Sequence, residues 1–329
     1  MSDQSREQVP GERAERPQQI PKRGWFQIAK RGWAESKADQ VPLLAAGVAF
    51  YAFLSLFPAL VALVLIYGLI ADPAQIAHQA DQLTGAFPGQ VRQLITTQLT
   101  MVSTHNQGAG IGMIASILIA LWSASSGTSN LITAISTAYD EEENRSFIKK
   151  RALALGLTVL AIIFMILVLF LVAALPVVLQ VFDNVIVRVL LQVLRWVLLV
   201  GLITTALAVL YRVAPDRDAP KIKWVSVGAI IATLLWVIAS VGFSIYVANF
   251  GNYAKTYGTV AGIVVLLFWL WLTSYAVLLG AEINAESEQQ TIADTTRGKP
   301  EPLGKRHAVK ADSVPGDDTS ARSLSHDRS

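Results

Sequence analysis

The sequence contains no cysteine, few charged residues and only four histidines. Without cysteine the chain has no disulfide, no thiolate metal site and no catalytic thiol. Charged residues make up 16% of the 329 residues and hydrophobic residues 53%, whereas a soluble domain carries about 25% charge. This shortage of charge excludes an ordinary soluble enzyme and a disordered scaffold, and it predicts a membrane protein.

Motifs for catalysis and for cofactor binding are also missing. The sequence has no nucleophile elbow, no P-loop, no dinucleotide-binding fingerprint and no histidine pair at metal-ligand spacing. The histidines are His78, His105, His307 and His326. We therefore predict no catalytic residues, no metal site and no cofactor.

Six long apolar stretches are present. Each reaches the roughly 20 residues that a helix needs to cross a bilayer, and none alternates as a membrane-spanning strand would. The stretches are Leu43–Ile70, Ile111–Ala138, Ala152–Gln180, Val189–Leu210, Trp224–Phe250 and Thr259–Ala281. They predict an all-α, polytopic membrane protein with six transmembrane helices.

The 27 lysines and arginines are distributed unevenly between the two sides of these spans. Eight lie in residues 1–40, four in 140–151, four in 212–223 and seven after Ala281. The positive-inside rule therefore predicts that both termini are cytoplasmic. Neither terminal segment is a dense basic patch that would neutralise many phosphates, so we do not expect nucleic-acid binding.

The segments outside the bilayer divide into three parts. Residues 1–20 and 288–329 contain few large apolar side chains, so we expect both to be disordered cytoplasmic tails. Residues 21–40 place two tryptophans at helical spacing among cations, which predicts an interfacial amphipathic helix near anionic lipid of the cytoplasmic face. The membrane domain then occupies residues 41–287.

The loop between the first two spans is the longest on the external side. Asp72 followed by Pro73 is a helix-start signal, and Gly85 and Pro88 interrupt the segment before a second one-sided apolar pattern. We expect two short external amphipathic helices here. They either cap the bundle or form a vestibule for a substrate.

Polar residues within the first two spans are candidates for a substrate path, because polar groups in hydrocarbon are costly. The first span contains Tyr51, Ser55 and Pro58, and the proline predicts a kink. The second span carries Ser126 and Asn130 on one helical stripe. Helix packing, with side chains bonded to their own backbone, is the alternative interpretation of this stripe.

Further candidates lie at the ends of the last two spans. Tyr246, Asn249 and Tyr257 surround the short connection between them, where aromatic residues also serve as interfacial anchors. Glu282 lies at the C-terminal end of the last span, where a helix disfavours an anion. We expect either a boundary salt bridge or a proton-coupling acid at this position.

Several strings of this sequence resemble the YihY/virulence factor BrkB family of bacterial inner-membrane proteins. The matching strings are AGVAFYAFLSLFP (Ala46–Pro58), LWSASSGTSNLITA (Leu121–Ala134), NRSF (Asn144–Phe147), LYRVAP (Leu210–Pro215), the run Phe243–Leu272 and LLGAEINAE (Leu279–Glu286). The resemblance covers about residues 25–288. Ser136 departs from the family, which often has Asn there.

The resemblance implies a multi-pass protein of the bacterial inner membrane, connected with transport or virulence. Members have also carried the name ribonuclease BN, but this sequence offers no cluster of metal ligands and no phosphate-binding surface. We therefore expect a transporter or permease of a small polar solute and no enzyme. The alternative is a non-transporting envelope or virulence-associated scaffold, and homo-oligomerisation is left open.

Overall fold

The computed structural model describes residues 9–70, 110–175, 184–249 and 259–315. Within these ranges the regular structure is helical, and an isolated antiparallel bridge joins Pro220 to Thr296. The predicted all-α fold class is confirmed.

The described residues form seven long helices, and in the apolar ones the helical conformation pairs the backbone groups that hydrocarbon could not. They are α1 (Lys22–Ala38), α2 (Val41–Ile70), α3 (Gly110–Ala138), α4 (Phe147–Leu169), α5 (Val185–Val213), α6 (Ile222–Asn249) and α7 (Thr259–Gln289). A π-helical turn, Phe170–Ala174, extends α4. Helix α2 continues through Pro58.

Five of these helices are long and apolar enough to cross a membrane, judged by length and composition over the described residues. The segments are Val41–Ala59, Phe147–Val172, Val185–Val213, Ile222–Val247 and Gly262–Gln289. Helix α3 has 29 residues and packs against both α2 and α4. The structure is that of a polytopic membrane protein, and the count of six spans stays a prediction.

One end of the bundle collects three connections and both described terminal segments. The connections α1–α2, α3–α4 and α5–α6 lie here, together with the C-terminal end of α7. A buried cluster that includes Tyr139, Tyr211, Val225 and Leu278 forms the adjoining core. We call this the charged end, because the ion pairs described below lie here.

Within the described ranges the terminal segments are ordered, in contrast to the disorder predicted for residues 1–20 and 288–329. Residues 9–20 and 290–315 fold onto the charged end and form, with residues 214–221, a layer that we call the cap. The Ile292 N–H donates to the Glu12 carbonyl (2.8 Å), and the Arg297 N–H donates to the Ala219 carbonyl (2.9 Å). Backbone hydrogen bonds to distant segments order this polar chain, where apolar burial alone could not.

Helix α1 occupies Lys22–Ala38 of the segment predicted as an interfacial amphipathic helix, and its faces have separate contacts. Ile28 and Gly32 are buried, and a Cβ at residue 32 would lie 3.1 Å from Ile283 of α7. Phe26 is 73% exposed and Trp33 is 52% exposed. The two predicted external helices fall within residues 71–109, outside the described ranges.

Candidate functional site

A network of ion pairs around the buried Glu286 joins four segments at the charged end. Glu286 of α7 accepts hydrogen bonds from Arg31 Nε of α1 (2.6 Å) and from Lys310 Nζ of the cap (2.9 Å). Lys310 Nζ also lies 2.9 Å from Asp140 Oδ2, which follows α3. Because a buried charge is tolerated only when it is paired, these contacts fix α1, α7 and the cap against each other.

A second buried ion pair lies nearby. Arg217 Nη2 is 2.6 Å from Glu288 Oε1, and Glu288 Oε2 accepts a hydrogen bond from the Thr295 hydroxyl at 2.8 Å. The Arg217 guanidinium also lies 4.5 Å from the ring centroid of Tyr139. Burial would lower the pKa of Arg217, but the neighbouring Glu288 and Tyr139 outweigh it and leave that pKa raised.

Asn284 of α7 forms two hydrogen bonds to the backbone of α6. Its Oδ1 accepts a hydrogen bond from the Gly228 N–H (2.7 Å), and its Nδ2 donates to the Val225 carbonyl (3.1 Å). An amide can do both because it carries a donor and an acceptor. A Cβ at residue 228 would meet the Gly280 carbonyl oxygen, so this close contact requires glycine.

Glu282 is fully buried, and neither of its carboxyl oxygens has a hydrogen-bond partner among the described residues. Lys310, a nearby cation, contacts Glu286 and Asp140 instead. Asp39 approaches Glu282 to hydrogen-bonding distance. Burial, followed by the charges of Asp140 and Glu35, raises the pKa of Asp39 to about 6.

The polar stripe of α3 bonds largely to its own backbone. Asn130 Nδ2 donates to the Ser126 carbonyl (2.9 Å), and Ser136 Oγ donates to the Ile132 carbonyl (3.1 Å). Side chains bonded to the backbone of their own helix are expected if the stripe serves helix packing. Two cations of α4 also contact α3. The Arg151 guanidinium lies 4.1 Å from the Trp122 ring centroid, and Lys150 Nζ donates a hydrogen bond to the Thr133 hydroxyl (2.9 Å).

A groove of about 340 Å³ lies between α2, α3 and α4. Three hydroxyl-bearing residues line it: Ser55, whose Oγ accepts a hydrogen bond from the Gly127 N–H (2.9 Å), and the pair Thr128 and Thr158, whose oxygens are 2.8 Å apart. The remaining lining is Val48, Ala52, Leu56, Ala59, Ala124, Gly127, Leu131, Ala161, Ile162 and Met165. The groove therefore combines an apolar wall with a few hydrogen-bonding groups.

Comparison with known proteins shows the family. The family described as Virulence factor BrkB matches residues 33–304 of the chain. The chain belongs to the BrkB family. Together with the apolar helices, this membership makes it a multi-pass protein of the bacterial inner membrane.

Individual relatives of this BrkB-family protein are also informative. The chain is 33% identical over 250 residues to the ribonuclease-like protein YfkH of Bacillus subtilis, which covers 73% of this chain and 87% of YfkH. It is 39% identical over 93 residues to a UPF0761 membrane protein of Tolumonas auensis, covering 28% of this chain and 30% of that protein. No solved structure matches.

The predicted path residues of the BrkB-family protein occupy three places. Ser55 and Pro58 lie on α2, with Ser55 in the groove, and the exposed Tyr51 is one turn before Ser55. Ser126 and Asn130 belong to the neighbouring stripe of α3. Glu282 lies at the charged end. Ser55 lies fourteen residues after Val41, the first residue of α2, so about 21 Å along the helix axis separates it from the charged end, where Glu282 lies.

The remaining candidates lie in the C-terminal half of α6 or after it in the sequence. Tyr246 is 47% exposed, and its ring stacks with that of Phe243 at a centroid distance of 6.4 Å. The side chain of Asn249 and the whole of Tyr257 lie outside the described residues. The contacts of Tyr246 are thus those of an aromatic cluster on α6 and α7, which also includes Phe268.

Sequence reasoning missed the partners of Glu282 and Glu286. Asp39, Asp140 and Lys310 come from three separate segments. One signal was available: α7 ends with acidic residues at positions 282, 286 and 288, and the first two are one helical turn apart. Such a run at the end of a membrane helix needs compensating cations, and the adjoining loops supply them. Within the described ranges, no group of three metal-binding side chains was found.

Proposed function

We propose that this BrkB-family protein is a transporter and that the groove between α2, α3 and α4 binds its substrate. The observation that carries the proposal is the groove itself. Its volume of about 340 Å³ lies within the range of small-molecule sites, which are mostly apolar with a few polar groups. Its hydroxyl groups come from three different helices, so a bound molecule would contact all three.

The lining indicates the substrate class. Small and branched apolar residues form most of the wall, and Ser55, Thr128 and Thr158 supply hydroxyls. A strongly polar or ionic solute would leave most of its hydrogen bonds unmade in such a groove. We therefore narrow the expected solute to a small amphipathic molecule with one or two hydrogen-bonding groups.

The same proposal places the charged end in the cytoplasm. Arg31, Arg217 and Lys310 lie there in ion pairs with buried glutamates. The segments that meet there, residues 9–40, 140–151, 212–223 and 282–315, hold most lysines and arginines of the sequence, in accordance with the positive-inside rule. The exposed Trp33 of α1, with Lys37 Nζ 5.3 Å from its ring centroid, suits a contact with anionic lipid.

Flux measurements in proteoliposomes test the transporter proposal. The probes are a pool of amphipathic molecules and, in parallel, a pool of polar metabolites and osmolytes. Ala161→Phe fills the groove, whereas Leu160→Phe alters the neighbouring, 44% exposed position of α4, outside the groove lining. We expect flux of an amphipathic probe in the wild type and in Leu160→Phe, and its loss in Ala161→Phe.

The alternative function is that of a membrane scaffold, and the cap is the observation that favours it. The cap ties residues 9–20, 214–221 and 290–315 to the same end of the bundle, which provides a continuous ordered surface. Absence of flux for every probe, with a correctly folded protein, would contradict the transporter proposal. Crosslinking of the cap to envelope partners would then be the next experiment.

A further inference from the structure

We propose that Asp39 and Glu282 form a proton-binding site at the charged end, in which the two carboxyl groups share one proton. The binding of the proton follows from the arrangement of these residues. Its role in driving or gating transport rests on the function proposed above. The site joins the end of α1 to α7.

A hydrogen bond between Asp39 and Glu282 depends on a proton. Asp39 and Glu282 approach to hydrogen-bonding distance, yet Asp39 Oδ2 and both oxygens of Glu282 have no donor among the described residues. An ionised carboxylate only accepts hydrogen bonds. The two groups can therefore bond to each other only when one of them carries a proton.

The charges around Glu282 also favour the retention of a proton. Glu282 is fully buried, and its charged neighbours come from every side: Asp39 with Glu35 from α1, Asp140 after α3, Glu286 on α7 and Lys310 from the cap. Lys310 contacts Glu286 and Asp140, and Arg31 contacts Glu286. The nearby cations that the structure describes are thus already paired, and none of the described cations forms an ion pair with Glu282. Two adjacent ionised carboxylates would repel each other, which favours retention of one proton.

The position of the pair suggests how it could act on the groove. Asp39 caps the C-terminal end of α1, two residues before α2 begins, and the intervening Gln40 has φ of 52°, a left-handed turn conformation. Loss of the proton would place two negative charges side by side and push the start of α2 away from α7. Helix α2 carries Ser55, so a movement at this turn would be transmitted to the groove.

Infrared titration of the full-length protein in detergent tests the site without requiring transport. A protonated carboxylic acid has a carbonyl stretch distinct from that of a carboxylate. We expect the wild type to keep this band above about pH 7, where the Glu141 carboxyl is ionised, and to lose it when the pH is raised further. Glu282→Gln should lack the band, Asp39→Asn should shift its titration, and the exposed Glu142→Gln should leave it unchanged.

Two results would overturn the proton site. A wild-type spectrum without the band just above about pH 7, beyond the titration of Glu141, would mean that both groups are ionised, and an unchanged band in Glu282→Gln would assign the proton elsewhere. Loss of the band on adding sodium at constant pH would instead indicate a sodium site. Thermal unfolding of each variant shows whether it is folded, and Asp39→Asn provides a second measurement if Glu282→Gln is not.

Transport measurements test separately whether the proton site drives transport. With an imposed pH gradient, we expect the wild type to accumulate the transported probe and Glu282→Gln to retain only downhill flux. Equal accumulation by both proteins would contradict the coupling role. A band that titrates as expected in a protein without any flux would leave the proton site intact and contradict the transporter proposal alone.

Discussion

Arg217 Nη2 lies 2.6 Å from Glu288 Oε1, and the two side chains are 1% and 0% exposed. This pair connects the α5–α6 loop to the C-terminal end of α7. Both groups are desolvated, and Thr295 and Tyr139 occupy further sides of the pair. Removal of either partner alone would leave a buried charge without compensation.

We therefore predict that Arg217→Met lowers the free energy of unfolding by about 3–5 kcal/mol. The double variant Arg217→Met with Glu288→Leu should recover much of this loss, because it removes both charges together. Thermal unfolding in detergent, followed by tryptophan fluorescence, measures both effects. Strictly additive losses in the double variant would show that the two residues do not stabilise the fold as a pair.

Close packing of α6 on α7 leads to a second prediction. A Cβ at residue 228 would meet the Gly280 carbonyl and the Asn284 amide, so Gly228→Ala should destabilise the protein by about 1–3 kcal/mol. Gly242 of the same helix has open space around it. Gly242→Ala should therefore be neutral or slightly stabilising, since alanine favours helix. Equal unfolding temperatures for both variants would contradict the close contact.

The cap depends on Arg306, which is 3% exposed. Its guanidinium donates hydrogen bonds to the carbonyls of Ile292 (2.6 Å), Ala311 (2.7 Å) and Glu301 (3.1 Å). Arg306→Ala should release residues 290–315, and proteinase K should then cleave this segment at least about tenfold faster, because charged hydrogen bonds contribute about 1.5–3 kcal/mol. The exposed Arg297→Ala is the control, and similar cleavage rates in both variants would contradict this role.

Helix positions in the membrane domain were predictable because apolar runs of bilayer length admit few alternatives. The second stretch was predicted as Ile111–Ala138 and is observed as Gly110–Ala138. Helix α4 begins at Phe147, before the predicted Ala152, because the cations at its start remain at the charged end. The order of the cap was not predictable, since it depends on hydrogen bonds between segments distant in the sequence, such as Ile292 with Glu12.

The candidate sites were predictable only in part, for a related reason. The cost of polar groups in hydrocarbon identified Ser55 and Glu282, which lie in the groove and at the charged end. Their neighbours Thr158 and Asp39 come from other helices, and single-sequence patterns contain no pairing information of this kind. A hydroxyl such as Thr158 is also common in membrane helices that serve only packing.

Glu141, in the α3–α4 loop, contacts the cap. Glu141 Oε1 accepts a hydrogen bond from the Val309 N–H at 2.8 Å. Burial raises the pKa of Glu141 to about 7, although this hydrogen bond and Arg217 oppose the shift. The folded protein therefore binds the proton more tightly than the unfolded chain does. The resulting stabilisation is complete below the ordinary pKa of 4.5 and is lost as the pH rises through about 7.

We accordingly predict that Glu141→Gln makes the stability of the protein less dependent on pH between about 4.5 and 7. Unfolding temperatures in detergent across this window should fall more steeply for the wild type than for the variant. Glu142→Gln, at an exposed neighbouring position, should follow the wild-type curve. The difference between the curves isolates Glu141 from other groups that titrate in the same window, such as Asp39. Parallel curves for wild type and Glu141→Gln would mean that the folded state does not hold this proton preferentially.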